Sequence, residues 1–183
     1  MAKDFIVAIE LGSSKITGIA GKKNPDGSIT VLSVAKEDSK ACMRKGVVYN
    51  IDKTAQALTN IINKLKGSLQ TDIARVYVGV GGQSLKGVKN VVVKDLPADS
   101  IVTQDIVNEL MDTNRNMKNN DYEVLDAITQ EYKVDMLDEL NPVGVQACHI
   151  EGNFLNLLWR KTFNRSLNKC FDNAGIPIVE MYV

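Results

Sequence analysis

The segment Ala8-Ile9-Glu10-Leu11-Gly12-Ser13-Ser14-Lys15-Ile16 concentrates the groups best suited to holding a phosphate. A strand ends in an acid, and Gly12 removes the side chain that would block close backbone approach. The amides of a tight turn and the hydroxyls of Ser13 and Ser14 then point outward as donors, with Lys15 supplying charge. Glu10 suits a magnesium ion held through water better than it suits a phosphate. Each charge-assisted hydrogen bond of this kind contributes about 1.5 to 3 kcal/mol, so one loop cannot hold a nucleotide tightly and other loops must help. An ordinary hairpin turn has the same residues, and spacing alone leaves both readings open.

Other groups with chemical potential fare less well. Gly79-Val80-Gly81-Gly82-Gln83-Ser84 meets neither the dinucleotide glycine pattern nor the Walker lysine spacing, and is read as a flexible junction between two units. Cys42, Cys148 and Cys170 form no CxxC pair and are read as reduced core thiols. His149 is the single histidine, too few for a zinc site or for a triad with an orienting partner, and is expected to be a structural strand residue. The acidic residues from Asp121 to Glu151 lack calcium-loop spacing and read as a solvated face.

Composition narrows the classes further. The chain has 183 residues, with 22 basic against 22 acidic side chains, so no bulk field draws a polyanion and nucleic acid is not an expected partner. No apolar run reaches the roughly 18 to 20 residues that cross a bilayer. The opening Met1-Ala2-Lys3-Asp4 leaves no room for a signal peptide, and a cytosolic location is expected.

The elements that must position the turn are legible as changes of rhythm. Phe5–Ile9, Lys15–Ala20 and Ser28–Val34 alternate as strands, and their short links predict an antiparallel meander. A helix follows, with Asp52 as expected N-cap, an apolar stripe of Leu58, Ile61, Ile62 and Leu65, and a stop near Gly67. Arg75–Val80 is predicted to return as a strand parallel to a neighbour.

Residues 83–152 read as a separate small α+β unit. It has a strand at Val88–Val93, a helix opening at Thr103, and strands at Gln130–Met136 and Val145–Ile150. Phe154–Trp159 is predicted as a strand, Thr162–Ala174 as a helix stopped by Gly175, and Ile178–Val183 as a last strand. An apolar strand at the end of the chain suggests an N-terminal piece of a longer protein with an open edge, prone to self-association.

In this order the chain resembles the N-terminal part of FtsA, the actin-like cell-division family of bacteria. The resemblance is carried by Ala8–Ile16, by Lys45-Gly46-Val47-Val48-Tyr49-Asn50-Ile51-Asp52, and by Val76–Gly82. Thr103-Gln104-Asp105-Ile106, Ile128-Thr129-Gln130-Glu131-Tyr132-Lys133-Val134-Asp135 and Asn141-Pro142-Val143-Gly144 extend it to essentially all 183 residues. It implies an α/β fold, an actin-like ATPase (ribonuclease H-like) subdomain 1A over residues 1–82 and 153–183. Residues 83–152 would be the inserted SHS2-type subdomain 1C.

It further implies that Gly12, Ser13, Ser14 and Lys15 line the phosphates of ATP, with Glu10 near magnesium. Hydrolysis would be weak or absent. The family links FtsZ filaments to the inner face of the cytoplasmic membrane at the division site, recruits later division proteins and self-associates into filaments. In relatives the rest of the nucleotide cleft, the FtsZ-binding region and a C-terminal membrane helix lie beyond the position of residue 183, so no ATP is expected to stay bound to this chain alone. An actin-superfamily small-molecule kinase and a PilM-like pilus assembly ATPase are the alternatives.

Overall fold

The computed structural model describes residues 5–183; Met1-Ala2-Lys3-Asp4 lie outside the described residues. The described chain divides into two compact units, one of residues 5–84 and 162–183, the other of residues 85–161.

The first unit is built on a five-stranded sheet. Strands β1 (Ile6–Leu11), β2 (Lys15–Lys23) and β3 (Ile29–Asp38) form the expected antiparallel meander. After the short hairpin of β4 (Met43–Arg44) and β5 (Val47–Val48) and helix α1 (Ile51–Leu69), β6 (Val76–Gly79) lies parallel to β1. A long crossover makes this parallel pairing accessible. The last strand of the chain, β11 (Ile178–Tyr182), pairs parallel with β6, giving the order β11-β6-β1-β2-β3.

Alternation decides which side is core. Val7, Ile9, Leu11, Ile16, Ala20, Val76 and Val78 are buried, as are Leu58, Ile61, Ile62 and Leu65 of α1. Gly18 sets how closely α1 approaches: a Cβ there would lie 2.4 Å from Ile61 Cγ2 and 3.1 Å from Leu65 Cδ1. On β3, Leu32 is an unpaired extra residue between Ser33, opposite Ala20, and Val31, opposite Gly21. This bulge resets the alternation, so Val31 and Val34 share the exposed side of the sheet with Ile19.

Two expectations change in this unit, and one of the three cysteines departs from its expected place in the other. The N-cap of α1 is Asn50, whose side chain accepts from the Lys53 amide; Asp52 sits in the first turn, where its charge complements the helix dipole. The helix runs past Gly67 to a left-handed cap at Gln70. Helix α3 (Lys161–Ala174) buries Phe163, Leu167, Cys170 and Phe171, and burial pushes the Cys170 thiol up to about 11. Cys42 is also buried and raised, but Cys148 is exposed and is no core thiol.

The second unit is a four-stranded antiparallel sheet, β7 (Leu85–Asp95), β8 (Tyr122–Val134), β9 (Leu137–Glu139) and β10 (His149–Arg160), in the order β7-β10-β8-β9. Helix α2 (Gln104–Arg115), N-capped by Thr103, packs on it over Leu110, Tyr132, Val134, Ile150 and Phe154. Within this core the fully buried Asn114 and Asn156 exchange side-chain hydrogen bonds of 2.7 and 2.8 Å, and Asn90 donates to Asn114. Paired amides satisfy one another and fix one register of helix on sheet.

The return to the first unit, expected at residue 153, comes at residue 162. In place of the two predicted strands Val145–Ile150 and Phe154–Trp159 there is one, β10, which starts only at His149 and pairs with β7 from His149 to Trp159 and with β8 from Ile150 to Arg160. Gly152 does not break it, because the ring of Phe154 lies over the glycine, 2.7 Å from where a Cβ would sit.

Gly18→Val is expected to lower unfolding free energy by about 1 to 3 kcal/mol through overpacking against α1, measured by urea denaturation. An unchanged midpoint would mean that α1 does not pack on this glycine.

Candidate functional site

The turn Gly12-Ser13-Ser14 joins the ends of β1 and β2, closed by a hydrogen bond from the Gly12 amide to the Lys15 carbonyl at 3.1 Å. A side chain at Gly12 would place Cβ 2.7 Å from that carbonyl oxygen and 3.6 Å from Glu10 Oε1. The fully buried Ser39 holds the turn from behind: its Oγ donates to the Gly12 carbonyl at 2.6 Å and its amide to the Ser14 carbonyl at 3.2 Å. These bonds leave the Ser13, Ser14 and Lys15 side chains on the exposed side.

A second loop meets the turn. Between β4 and β5, Lys45 (φ 51°) and Gly46 (φ 76°) both adopt left-handed backbone, as a two-residue hairpin with matched twist requires. The Gly46 amide donates to Ser13 Oγ at 2.8 Å. An acceptor bond of this kind uses an oxygen lone pair and leaves the Ser13 hydroxyl hydrogen available to an incoming oxygen.

The third loop is the glycine run read from sequence as a flexible junction. Gly82 (φ 98°) packs against Lys45 and Gly46, where a Cβ would meet the Lys45 carbonyl oxygen at 2.7 Å. A Cβ on Gly46 would meet the Gly81 carbonyl oxygen at 2.4 Å. The Gln83 amide also donates to the Lys45 carbonyl at 3.2 Å. The two backbones approach so closely that only glycine fits on either side. The run is therefore a packed wall; a fixed positive φ at Gly82 was the signal, and composition does not carry it.

Together Glu10, Gly12, Ser13, Gly46 and Gly79–Gly82 line a concavity of ≈ 360 Å³. It offers the Ser13 hydroxyl, backbone groups and the Glu10 carboxylate, which is chemistry for phosphate oxygens and a hydrated cation, while Ser14 and Lys15 of the same turn are exposed outside its lining. Among the described residues no group of three or more His, Cys, Asp or Glu side chains is arranged to ligate a metal directly.

His149 sits in the other unit and has partners that the sequence did not reveal. Its Nδ1 lies 2.8 Å from Asp95 Oδ1, its direct cross-strand neighbour, and its Nε2 lies 3.4 Å from Glu151 Oε1. The Asp95 hydrogen bond, then that to Glu151, raises the His149 pKa above its usual value, slightly opposed by burial. Asp135 accepts from the amides of Cys148 and His149, fixing the start of the strand.

Residues 82–158 match the family model described as the SHS2 domain inserted in FTSA. Over 162 residues the chain is 32% identical to the cell division protein FtsA of Porphyromonas gingivalis, an alignment covering 87% of this chain and 34% of that protein. FtsA of Neisseria meningitidis is 25% identical over 94% of this chain and 42% of its own length; FtsA of Escherichia coli K12 is 19% identical over 98% and 43%. The chain belongs to the FtsA family. It spans less than half the length of these curated relatives. A PilM-PilN type IV pilus biogenesis complex matches the fold with a TM-score of 0.61 at 13% identity, over 97% of this chain and 47% of that one. The fold is accordingly the α/β actin-like one, with an SHS2 unit set into it, and the FtsA-family chain carries the described turn at the first hairpin of that fold.

Two outcomes are expected. Gly82→Ala should cost about 1 to 3 kcal/mol in urea denaturation, because φ 98° and the Lys45 carbonyl both oppose a Cβ; a neutral substitution would remove the interlock. For His149, a folded pKa above the unfolded value of about 6.5 means that its stabilising contribution is fully present below pH 6.5 and is lost as pH rises through the folded pKa. His149→Gln should therefore flatten this part of the stability–pH profile. An NMR titration giving a His149 pKa below 6.5 would contradict the pairing.

Proposed function

We propose that this chain contributes the first phosphate-gripping hairpin and a protein-contact unit to an FtsA-type, ATP-dependent assembly factor of cell division. The observation that carries the reading is the Gly12–Lys15 turn, held by Ser39 and Gly46 with its hydroxyls outward. Such a cradle fits phosphate oxygens, and its 360 Å³ concavity is near the lower limit for a small-molecule site. Ser13, Ser14 and Lys15 would hold the phosphates of ATP, Gly12 would permit their approach, and Glu10 would orient a water of magnesium. ATP then supplies an occupancy signal: bound phosphates tie the turn to the surrounding loops, and assembly responds.

In this reading residues 85–161 present a surface to division proteins, and the whole protein joins FtsZ filaments to the cytoplasmic membrane. Support comes from the FtsA relatives and from the SHS2 family match. The pilus complex shares the fold at an identity that bears on fold alone, and a kinase reading has no support from these relatives.

The nucleotide reading is tested by adding magnesium-ATP to the isotope-labelled chain and following backbone amides by NMR. Weak, saturable shifts are expected at Glu10–Lys15, Gly46 and Gly79–Gly82, abolished by Gly12→Val. Shifts absent from the turn, or tight micromolar binding registered elsewhere, would overturn it. The contact role is tested by capturing division proteins with and without residues 85–161; unchanged capture would remove that role.

A further inference from the structure

A second concavity, of ≈ 450 Å³, lies in the 85–161 unit where α2 ends and β8 begins, with Arg115, Lys118 and Lys161 in its lining. Two more cations converge on a tyrosine of the same lining. Lys86 Nζ lies 4.6 Å and Arg160 Cζ 5.5 Å from the centroid of the Tyr122 ring. We propose that this basic concavity binds a phosphate group, carried either by a soluble phosphate ester or by a lipid headgroup. The proposal is independent of the Gly12–Lys15 reading.

Lys161 is a fixed cation. Its Nζ donates to the Asn119 carbonyl at 2.8 Å and its own amide donates to the Asp121 carbonyl at 2.9 Å, so the Asn116–Asn120 loop is tied to the end of β10. An ammonium has three donors, and the Asn119 bond uses one. Lys86 and Arg160 are both drawn to the ring of Tyr122, and an anion beside them relieves the repulsion between the two cations.

The two ends of β10 carry different local sets of charged groups. At the far end of β10, roughly 35 Å away by strand rise, Asp95, Asp135 and Glu151 surround His149. Glu123 is the one acid in the lining, against the three cations Arg115, Lys118 and Lys161. The concavity is shallow and open, so a phosphate can reach its cations directly from solvent. Phosphate suits it, because guanidinium and ammonium donors match its oxygens.

The test titrates the labelled 183-residue chain with inorganic pyrophosphate at constant ionic strength, with sodium chloride as the matched control. Saturable shifts are expected at residues 116–124 and 161. Affinity should fall at least about tenfold in Arg115→Glu/Lys118→Glu, whose exposed side chains leave the fold intact by amide dispersion, and should be unchanged in Lys22→Glu on the other unit. Flotation with phosphatidylglycerol vesicles but not phosphatidylcholine vesicles, lost in the double variant, assigns the group to a lipid headgroup. Saturable pyrophosphate shifts without flotation assign it to a soluble ester. Non-saturable shifts, shifts reproduced by chloride, or an affinity indifferent to the double variant would overturn the proposal. Shifts confined to Glu10–Lys15 would overturn it while leaving the nucleotide reading intact.

Discussion

The first unit depends on a close approach of backbone to backbone. Gly46 and Gly82 pack main chain on main chain, and Ser39 reaches the β1–β2 turn from a position 27 residues further along the chain. Neither contact is a large source of stability, since a net hydrogen bond contributes only about 0.5 to 1.5 kcal/mol. Their effect is geometric. With the carbonyls of Gly12 and Ser14 engaged from behind and the Ser13 oxygen occupied by the Gly46 amide, the remaining donors have one direction left to face. A preorganised donor set binds an anion without first losing conformational entropy.

The second unit solves a different problem. A sheet covered by one helix has a small core, and here an Asn90–Asn114–Asn156 network sits inside it. Buried amides contribute little net energy when satisfied and cost much when orphaned, so they favour one seating of α2 over its neighbours. A rigid seating keeps the charged ends of β10 in place, acidic around His149 and basic around Tyr122. That polarity gives the unit two chemically distinct surfaces, which suits a module whose family role is in division.

Much of this was legible from sequence, for local reasons. Period-two alternation and short links located β1, β2 and β3; the stripe Leu58, Ile61, Ile62, Leu65 located α1; Thr103 marked the start of α2. The turn between β1 and β2 was visible as Gly-Ser-Ser after a strand. What failed depended on how the chain folds back or turns locally, which residue type alone does not show. Gly79–Gly82 looks like a linker until Gly46 is brought against it. Gly152 looks like a strand break until Phe154 covers it, and the unit boundary moved with that strand. Asn50 outranked Asp52 as a cap because backbone geometry, rather than residue type, chooses the first helical turn. Asp95 reaches His149 only once β7 and β10 are paired, joining Glu151 two residues along β10.

The central claim is that the cradle is formed before any ligand arrives. Backbone order parameters of the ligand-free chain, measured by nitrogen-15 relaxation at Gly12–Lys15 and Gly81–Gly82, address it directly. Values near 0.85, as in rigid backbone, are expected at these glycine-rich loops and should drop in Ser39→Ala. Values below about 0.6 in the unaltered chain, matching a loose linker, would contradict it.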